Sequence, residues 1–215
     1  MLEVDSVSLC FGDKDILSGC YICCKPGEVV GLLGRSGCGK SSLMKIIFGS
    51  LKAGFMHLRL NNQIVKKAFR SKEVAYLPQH RFIPSFLTVR RVLNECDPSI
   101  ISEDILQGFS ELSDKRINTL SGGELRFLEC LWILSRKATY LLLDEPFSEI
   151  APFQIEILQD IIREKGKTKG IILTDHFYLP LMEVSTRIVL MHNNAIYSIE
   201  DESDLVMYQY IPEFE

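Results

Sequence analysis

Apolar residues alternate with polar ones in the first part of the chain and later gather into continuous runs. Alternation from Leu2 to Leu9 and from Ile16 to Cys24 predicts two strands, because successive side chains of a strand point to opposite faces. A hairpin is predicted next, in which strands 55–60 and 64–65 flank Asn61-Asn62-Gln63. Asparagine tolerates the positive φ that such a turn requires.

Continuous apolar runs predict strands that are covered on both faces of a parallel sheet. These runs are residues 28–33, 73–77, 140–143 and 170–174. A helical pattern over 42–48 follows the first run, and another over 154–164 connects the last two. This alternation of strands and helices predicts an α/β fold. A late hairpin, 187–192 with 195–199, is predicted to turn at Asn193-Asn194.

The middle of the chain changes to a helical pattern. Thr88 and Ser102 are each placed to cap a short helix, because a side-chain oxygen can accept a hydrogen bond from a free helix amide. A longer helix is predicted from Glu124 to Ser135. No linker, internal repeat or low-complexity tract separates the blocks, so a single domain over residues 1–215 is expected.

Composition limits the class of protein. With 215 residues, 47% of them hydrophobic, the chain can bury one sizeable core but is too short for two full domains. The net charge of −4 argues against a general role in nucleic-acid binding. No apolar run approaches the roughly 18 residues that cross a bilayer, and the N-terminus lacks the pattern of a signal peptide.

Seven cysteines, an odd number without disulfide-rich spacing, indicate free thiols in a reducing cytosol. Cys20, Cys23 and Cys24 lie close together, which leaves two interpretations. They are either half of a metal site or small buried residues of a strand. The second interpretation is favoured, because no further cysteine pair or histidine cluster completes a ligand set.

One glycine-rich segment matches the phosphate-binding pattern G-x-x-x-x-G-K-[ST] without a mismatch, and it lies between a predicted strand and a predicted helix. Its main-chain N–H groups and the helix dipole can both face an anion. Lys40 can reach the β- and γ-phosphates of a nucleotide, and the Ser41 hydroxyl can hold Mg²⁺. The segment, called the phosphate loop below, consists of Gly34, Arg35, Ser36, Gly37, Cys38, Gly39, Lys40 and Ser41, and Ser42 follows it in the helix.

Two carboxylates end the apolar run 140–143. A buried strand that delivers Asp144 to its carboxyl end places that carboxylate beside the Mg²⁺ held by Ser41. Glu145 is then close to the γ-phosphate, where it can orient an attacking water or accept its proton. A turn before Pro146 is also expected and is compatible with this catalytic interpretation.

Segment 120–124 opens the predicted helix that ends at Ser135. Ser121 is a favourable cap, and Gly122 and Gly123 allow an anion to approach the helix N-terminus closely. One nucleotide cannot easily contact both this segment and the phosphate loop. Two facing copies, each lending the helix to the other's nucleotide, are therefore predicted; an ordinary serine-capped helix is the alternative.

These motifs, in this order, resemble those of the ATP-binding cassette (ABC) ATPases, and the resemblance covers almost the whole chain. Segment 120–124 matches the family's most specific motif and is called the signature segment below, although Glu124 stands where glutamine is usual. The resemblance implies that Gln79 contacts Mg²⁺ and the attacking water, and that His176 contacts the γ-phosphate. It also implies that Phe11 stacks on adenine; a turn aromatic packed on the core is the alternative.

The resemblance implies a P-loop NTPase core of the RecA-like type with a small antiparallel β subdomain and a short helical subdomain, roughly 86–116. It also implies that a groove beside the Gln79 loop receives a helix of a membrane subunit, for which residues 81–86 offer apolar and basic groups. A solvated loop is the alternative. One departure from the family pattern is Ala151, which occupies a position where aspartate normally helps to order the opposite site.

The function implied is that of a cytoplasmic motor subunit that hydrolyses ATP with Mg²⁺ and drives transport. Its expected partners are a second copy or a paralogous ABC subunit and separate transmembrane permease subunits, at the inner face of the cell membrane; no nucleic acid is expected. Two alternatives remain open, namely a soluble ABC ATPase outside transport and an ATP-gated clamp with low turnover. The transported substrate and the direction of transport are not predicted.

Overall fold

The computed structural model describes residues 1–212. Within them the chain forms ten strands and seven α-helices, numbered here in chain order. The strands are β1 (Leu2–Phe11), β2 (Lys14–Cys24), β3 (Val29–Leu33), β4 (Phe55–Leu60), β5 (Gln63–Ile64), β6 (Val74–Leu77), β7 (Tyr140–Asp144), β8 (Gly170–Thr174), β9 (Arg187–His192) and β10 (Ala195–Ile199). The helices are α1 (Lys40–Phe48), α2 (Val89–Leu93), α3 (Glu103–Gly108), α4 (Gly122–Leu134), α5 (Pro152–Gly166), α6 (Tyr178–Val184) and α7 (Glu202–Met207).

Two sheets organise the molecule, and they confirm the predicted α/β fold with a small antiparallel part. The main sheet has the strand order β10-β9-β3-β8-β7-β6 and is parallel except for the edge strand β10. The second sheet is antiparallel, with the order β2-β1-β4-β5. Because β3, β6, β7 and β8 run in the same direction, their carboxyl ends meet at one edge of the main sheet. The functional residues follow those ends.

The central strands are buried on both faces, which explains their continuous apolar runs. Leu33 and Leu141 face the core that contains α4 and α5, whereas their neighbours Leu32 and Leu142 face α1 and the antiparallel sheet. A single strand therefore contributes to two apolar cores, because its side chains alternate between faces. Packing on both faces fixes the position of the carboxyl edge of the main sheet, where the site lies.

The hairpin between β4 and β5 differs from the prediction by one residue. Its turn is Asn61-Asn62 alone, with φ angles of 51° and 67°, and Leu60 pairs directly with Gln63. The prediction that Gln63 lies in the turn is therefore wrong. Two successive left-handed asparagines complete the reversal without a third residue.

The helical region begins at the predicted caps. The Thr88 side chain accepts a hydrogen bond from the Arg91 amide, and Ser102 accepts one from Ile105. Thr88 and Arg116 pair as an isolated β-bridge, which brings the ends of this region together. Helices α6 and α7 were not predicted. A signal for α7 was available, because Asp201 caps it by accepting hydrogen bonds from two amides.

All seven cysteines are free thiols, as predicted. Cys20 and Cys24 are buried on β2, and Cys23 is half-buried. Among residues 1–212, no group of three or more histidine, cysteine or acidic side chains is arranged to hold a metal ion. Cys20 and Cys24 therefore pack as the small buried strand residues that were predicted, whereas Cys23 is only partly covered.

Candidate functional site

The phosphate loop links the carboxyl end of β3 to the first residue of α1, the geometry predicted for a phosphate cradle. The loop closes tightly at Gly34, which has a φ of 151°. A Cβ on Gly34 would lie 2.7 Å from Cys38 Sγ and 2.8 Å from the Met191 carbonyl oxygen. A larger residue at this position would therefore force the loop open.

Lys40 folds back over the phosphate loop. Its Nζ donates hydrogen bonds of 2.6 Å to the Gly34 carbonyl and 3.2 Å to the Arg35 carbonyl. The side chain is only 9% exposed, and both acceptors are neutral. The ammonium charge therefore remains available to attract an anion into the loop.

Ser41 and Asp144 meet where the phosphate loop passes the end of β7. Ser41 Oγ donates a 2.9 Å hydrogen bond to Asp144 Oδ1, and the Tyr76 hydroxyl donates one of 3.0 Å to Asp144 Oδ2. Asp144 is fully buried, and this burial raises the pKa of its carboxyl group, against the opposing effect of the two hydrogen bonds. A hydroxyl and a carboxylate are the oxygen donors that Mg²⁺ prefers, so the pair fits the predicted metal site.

Glu145 follows Asp144 with a strained backbone. Its φ is 56°, and its amide donates a 2.7 Å hydrogen bond to the Thr174 carbonyl at the end of β8. Gln79 Nε2 donates a 2.9 Å hydrogen bond to Glu145 Oε2. A positive φ is costly for glutamate, but here it turns the carboxylate away from the strand and toward Gln79.

His176 joins this cluster through Ser148. Ser148 Oγ lies 3.4 Å from Glu145 Oε2 and 3.4 Å from His176 Nδ1. The neighbouring Asp175 is buried and accepts hydrogen bonds from the amides of Phe147 and Phe177, so it fixes the loop that carries His176. Burial raises the pKa of the Asp175 carboxyl group. The predicted catalytic residues Gln79, Glu145 and His176 therefore lie together.

The signature segment begins α4 with a reciprocal capping box. Ser121 Oγ accepts a hydrogen bond from the Glu124 amide, and the Glu124 carboxylate accepts one from the Ser121 amide. Gly122 and Gly123 allow Glu149 to lie against the helix start, since added Cβ atoms would come within 2.2 Å and 2.3 Å of its atoms. Gly122 lines a cleft with Gln79 and Glu145, and that cleft is not lined by the phosphate loop.

Phe11 ends β1 and is 56% exposed. This exposure does not fit the alternative in which the ring packs on the core. The ring lies beside the two-residue turn that joins β1 to β2, where it is accessible to a planar ligand.

Three residues of the site were missed by sequence reasoning. Tyr76 holds Asp144, while Arg126 and Glu129 lie on the buried face of α4 with 7% and 1% exposure. Arg126 donates hydrogen bonds to the backbone carbonyls of Asp144, Glu145 and Pro78. A charged pair at helical spacing normally indicates a solvated face, so the sequence carried no signal for these contacts.

Residues 17–148 match the family model described as ABC transporter. Over 200 residues the chain is 30% identical to the hemin import ATP-binding protein HmuV of Bordetella avium, covering 81% of this chain and 77% of that protein. It is 29% identical to the high-affinity branched-chain amino acid transport ATP-binding protein BraG of Pseudomonas aeruginosa, covering 91% of each.

Solved structures have the same fold. One, described as the ATP-binding subunit of an ABC transporter, superposes with a TM-score of 0.79 at 20% identity and covers 98% of this chain and 95% of its own. A nucleotide-free ATP-binding cassette gives a TM-score of 0.78 at 20% identity, with 99% and 96% covered. The chain belongs to the ABC transporter family, as an ATP-binding subunit of the class that hydrolyses ATP. Among residues 1–212, no helix has the length and apolar character needed to cross a bilayer.

Proposed function

We propose that this chain is the motor subunit of a transport complex, in which it binds and hydrolyses ATP with Mg²⁺ at the cytoplasmic face of the membrane. It acts as a head-to-tail dimer with a second copy or a paralogous ABC subunit. Separate transmembrane permease subunits form the path for the substrate. Single-domain organisation over residues 1–215, with a helical subdomain near 86–116, is part of the same proposal.

The observation that carries the proposal is the meeting of Ser41 with Asp144 at 2.9 Å, beside the contact of Gln79 with Glu145 at 2.9 Å. The first pair supplies oxygen ligands, and the second supplies a carboxylate and an amide that can hold a water. Both lie at the carboxyl edge of the main sheet, next to a loop that suits phosphates. Phosphoryl transfer depends mainly on such positioning and on charge stabilisation.

Each residue has a distinct role in this proposal. Backbone amides of the phosphate loop and the Lys40 ammonium hold the phosphates, while Phe11 stacks on the base. Ser41, Asp144 and Gln79 would hold Mg²⁺, which when bound would supply positive charge that offsets the charge of the phosphates. Glu145 accepts the proton of the attacking water, and His176 holds the γ-phosphate. Ser148 contacts both of these side chains and holds them at a fixed distance from each other.

The signature segment serves the nucleotide of the other subunit. Ser121, Gly122 and Gly123 form a helix N-terminus that suits an anion. The pocket lined by Ser121 and Gly123 contains no residue of the phosphate loop of the same chain, and neither Gln79 nor Glu145. Closure of two subunits on two nucleotides would bring each signature segment onto the partner's γ-phosphate. The γ-phosphate would then favour the closed state, and hydrolysis would release it.

One observation favours a second candidate function, a clamp with low turnover. Ala151 stands at the cap of α5 and provides no side-chain hydrogen bond to that helix. It also lacks the carboxylate usual at this position, so coupling between the two sites would be weaker. Measured turnover under saturating Mg·ATP separates the motor from the clamp.

The contact with a permease is proposed at residues 81–86. Phe86 is 71% exposed, while Phe82 is anchored by stacking on Trp132 with centroids 5.6 Å apart. An exposed phenylalanine beside an anchored loop suits an apolar helix of a membrane subunit. The relatives named above are described for hemin import and for branched-chain amino acid transport, so similarity at this level does not identify the cargo.

The test has two measurements. Phosphate release by the purified chain with Mg·ATP should be lost in Lys40→Ala, and an inactive wild type would contradict the proposal. Affinity purification from native membranes in mild detergent should recover multi-span membrane proteins, and Phe86→Glu should lose them. Ile64→Glu, at a position 72% exposed in the antiparallel sheet, is the matched control and should retain them.

A further inference from the structure

Arg126 lies where three parts of the candidate site converge. Its side chain is buried, as is that of Glu129, one turn later on α4. The guanidinium donates from Nη2 to the Asp144 carbonyl, from Nη2 and Nε to the Glu145 carbonyl at 3.1 Å and 3.3 Å, and from Nη1 to the Pro78 carbonyl at 2.7 Å. One side chain therefore joins the carboxyl ends of the neighbouring strands β6 and β7.

Glu129 completes the arrangement. Its Oε2 lies 3.5 Å from Arg126 Nη1, and its Oε1 accepts a 2.9 Å hydrogen bond from the Phe82 amide. Burial raises the pKa of the Glu129 carboxyl group, and the amide and the guanidinium oppose that effect. The loop after β6 is therefore held at both ends, at Pro78 by Arg126 and at Phe82 by Glu129. Gln79 lies between these two points.

We propose that Arg126 is a positioning residue for ATP hydrolysis, which fixes the backbone of Glu145 and, with Glu129, the loop that carries Gln79. The inference rests on the proposed function, because it assigns Arg126 a part in that reaction. Arg126 lines the same cleft as Gln79 and Glu145, but it bonds neither of their side chains. It acts through the carbonyl of Glu145 and through that of Pro78, which precedes Gln79.

The backbone geometry explains why such a residue is needed. Glu145 has a φ of 56°, a conformation that persists only where surrounding contacts over-determine it. Its amide is held by Thr174 on one side, and its carbonyl is held by Arg126 on the other. Only arginine presents several donors in one rigid plane, so lysine cannot reproduce the whole set. The same helix begins with the signature segment, so α4 links that segment to the catalytic carboxylate of its own chain.

The first test compares Arg126→Lys with Arg136→Lys. Arg136 follows the same helix and lies over the Trp132 ring, with its Cζ 4.3 Å from the centroid, outside the site. Arg126→Lys should lower kcat roughly 10- to 100-fold, as a small misplacement of reacting groups does, with KM for ATP changed less than about 3-fold. Arg136→Lys should leave both constants unchanged. An equal loss in the two variants, or a loss confined to KM, would overturn the assignment.

A double-mutant cycle separates positioning from general destabilisation. If Arg126 acts through Glu145, Arg126→Lys should cause less than about a 2-fold further loss when Glu145 is already glutamine. A purely structural role would multiply the two losses. Should Arg126→Lys fail to fold, Arg126→Met/Glu129→Leu removes both buried charges together, which a core tolerates better. This double variant should show the same loss of kcat, and full activity in it would refute the proposal.

Hydrogen exchange provides a readout that does not depend on hydrolysis. In Arg126→Lys without nucleotide, amides of residues 79–83 and 145–148 should exchange faster, whereas those of β3 and β8 should not. Unchanged exchange at 79–83 and 145–148 would contradict the positioning role whatever the activity. If exchange changes as expected but the wild type hydrolyses no ATP, the proposed function fails while the contact network stands.

Discussion

The amide of Gln79 donates a 2.9 Å hydrogen bond to the carboxylate of Glu145, although the two residues are 66 positions apart. They meet because β6 and β7 are parallel neighbours in register, with Leu77 opposite Leu143. Strand β6 ends two residues before Gln79, and β7 ends one residue before Glu145. A shift of one residue in that register would separate the amide from the carboxylate.

Replacing Glu145 with glutamine should leave ATP binding intact and reduce hydrolysis by about 100-fold or more, as expected for loss of a positioned base. The neutral amide also removes repulsion from the γ-phosphate, so the variant should accumulate as a closed dimer in excess Mg·ATP. Sedimentation velocity measures this dimer directly. Only monomer in that experiment would contradict the two-copy site, and mixing with a paralogous subunit would then test for an obligate heterodimer.

Replacing Lys40 with alanine should abolish detectable ATP binding. The variant loses the ammonium that can contact the phosphates, and hydrogen bonds from a charged donor are stronger than those between neutral groups. Isothermal titration calorimetry measures the affinity, and Lys52→Ala, at an exposed lysine, serves as the control. Retained affinity in Lys40→Ala would overturn the phosphate-loop assignment.

Replacing Ser121 with arginine should spare ATP binding by the monomer but block dimer closure and hydrolysis. The bulky cation removes the capping hydroxyl of α4 and fills the space proposed for the partner's γ-phosphate. Ser110→Arg, at an exposed serine of the helical region, should behave like the wild type. Equilibrium binding of a fluorescent ATP analogue and steady-state phosphate release distinguish the two steps.

Mixing Ser121→Arg with Lys40→Ala adds a test of the head-to-tail arrangement. The mixed dimer contains one nucleotide site in which both the phosphate loop and the facing signature segment are wild type. Partial activity should therefore return if one site can hydrolyse ATP alone. Because Ala151 lacks the carboxylate of the usual aspartate, hydrolysis at one site without the other is favoured. Loss of monomer affinity in a folded Ser121→Arg variant would instead place the signature segment on the nucleotide of its own chain.

The contact between Asp97 and Lys165 should make stability depend on pH at the acid end. Lys165 Nζ donates a 2.7 Å hydrogen bond to Asp97 Oδ2, and this bond, with the Ser99 amide, lowers the pKa of Asp97 from 3.8 to about 2. Because the folded-state pKa is depressed, the stabilisation is present above pH 3.8 and is lost as the pH falls through about 2. The Asp97 side chain is 36% exposed, so solvent screening should keep the effect below about 1 kcal/mol.

Asp97→Asn should therefore lower the thermal midpoint at neutral pH by at most roughly 2–4 °C, with a difference from the wild type that shrinks toward pH 2. Asp160→Asn is the control, because the side chain of Asp160 is 80% exposed in its pair with Arg163. Differential scanning fluorimetry across this pH range measures both. A difference that is independent of pH would show that the ion pair does not stabilise the contact between the helical region and α5.

Local patterns were sufficient to predict much of the fold and part of the site. The phosphate loop, Asp144 and the Ser121 cap are each defined by neighbours in the chain: a strand before, a helix after, or a serine three residues before a glutamate. Such features depend on backbone rules that act over a few residues. Gln63 was wrongly predicted to lie in a turn, because its position is decided by the pairing of β4 with β5, in which it lies opposite Leu60.

The sequence by itself determined the nucleotide-binding class of this protein, because its motifs are contiguous and their chemistry requires those residue types at that spacing. Only the tertiary structure decided how the catalytic residues are held. Tyr76 reaches Asp144 across 68 positions, and Phe82 is tied to Glu129 across 47. In the sequence, Arg126 is an ordinary cation of a helix. When α4 packs against the ends of β6 and β7, the guanidinium is removed from water, and it donates to the backbone carbonyls at those strand ends instead.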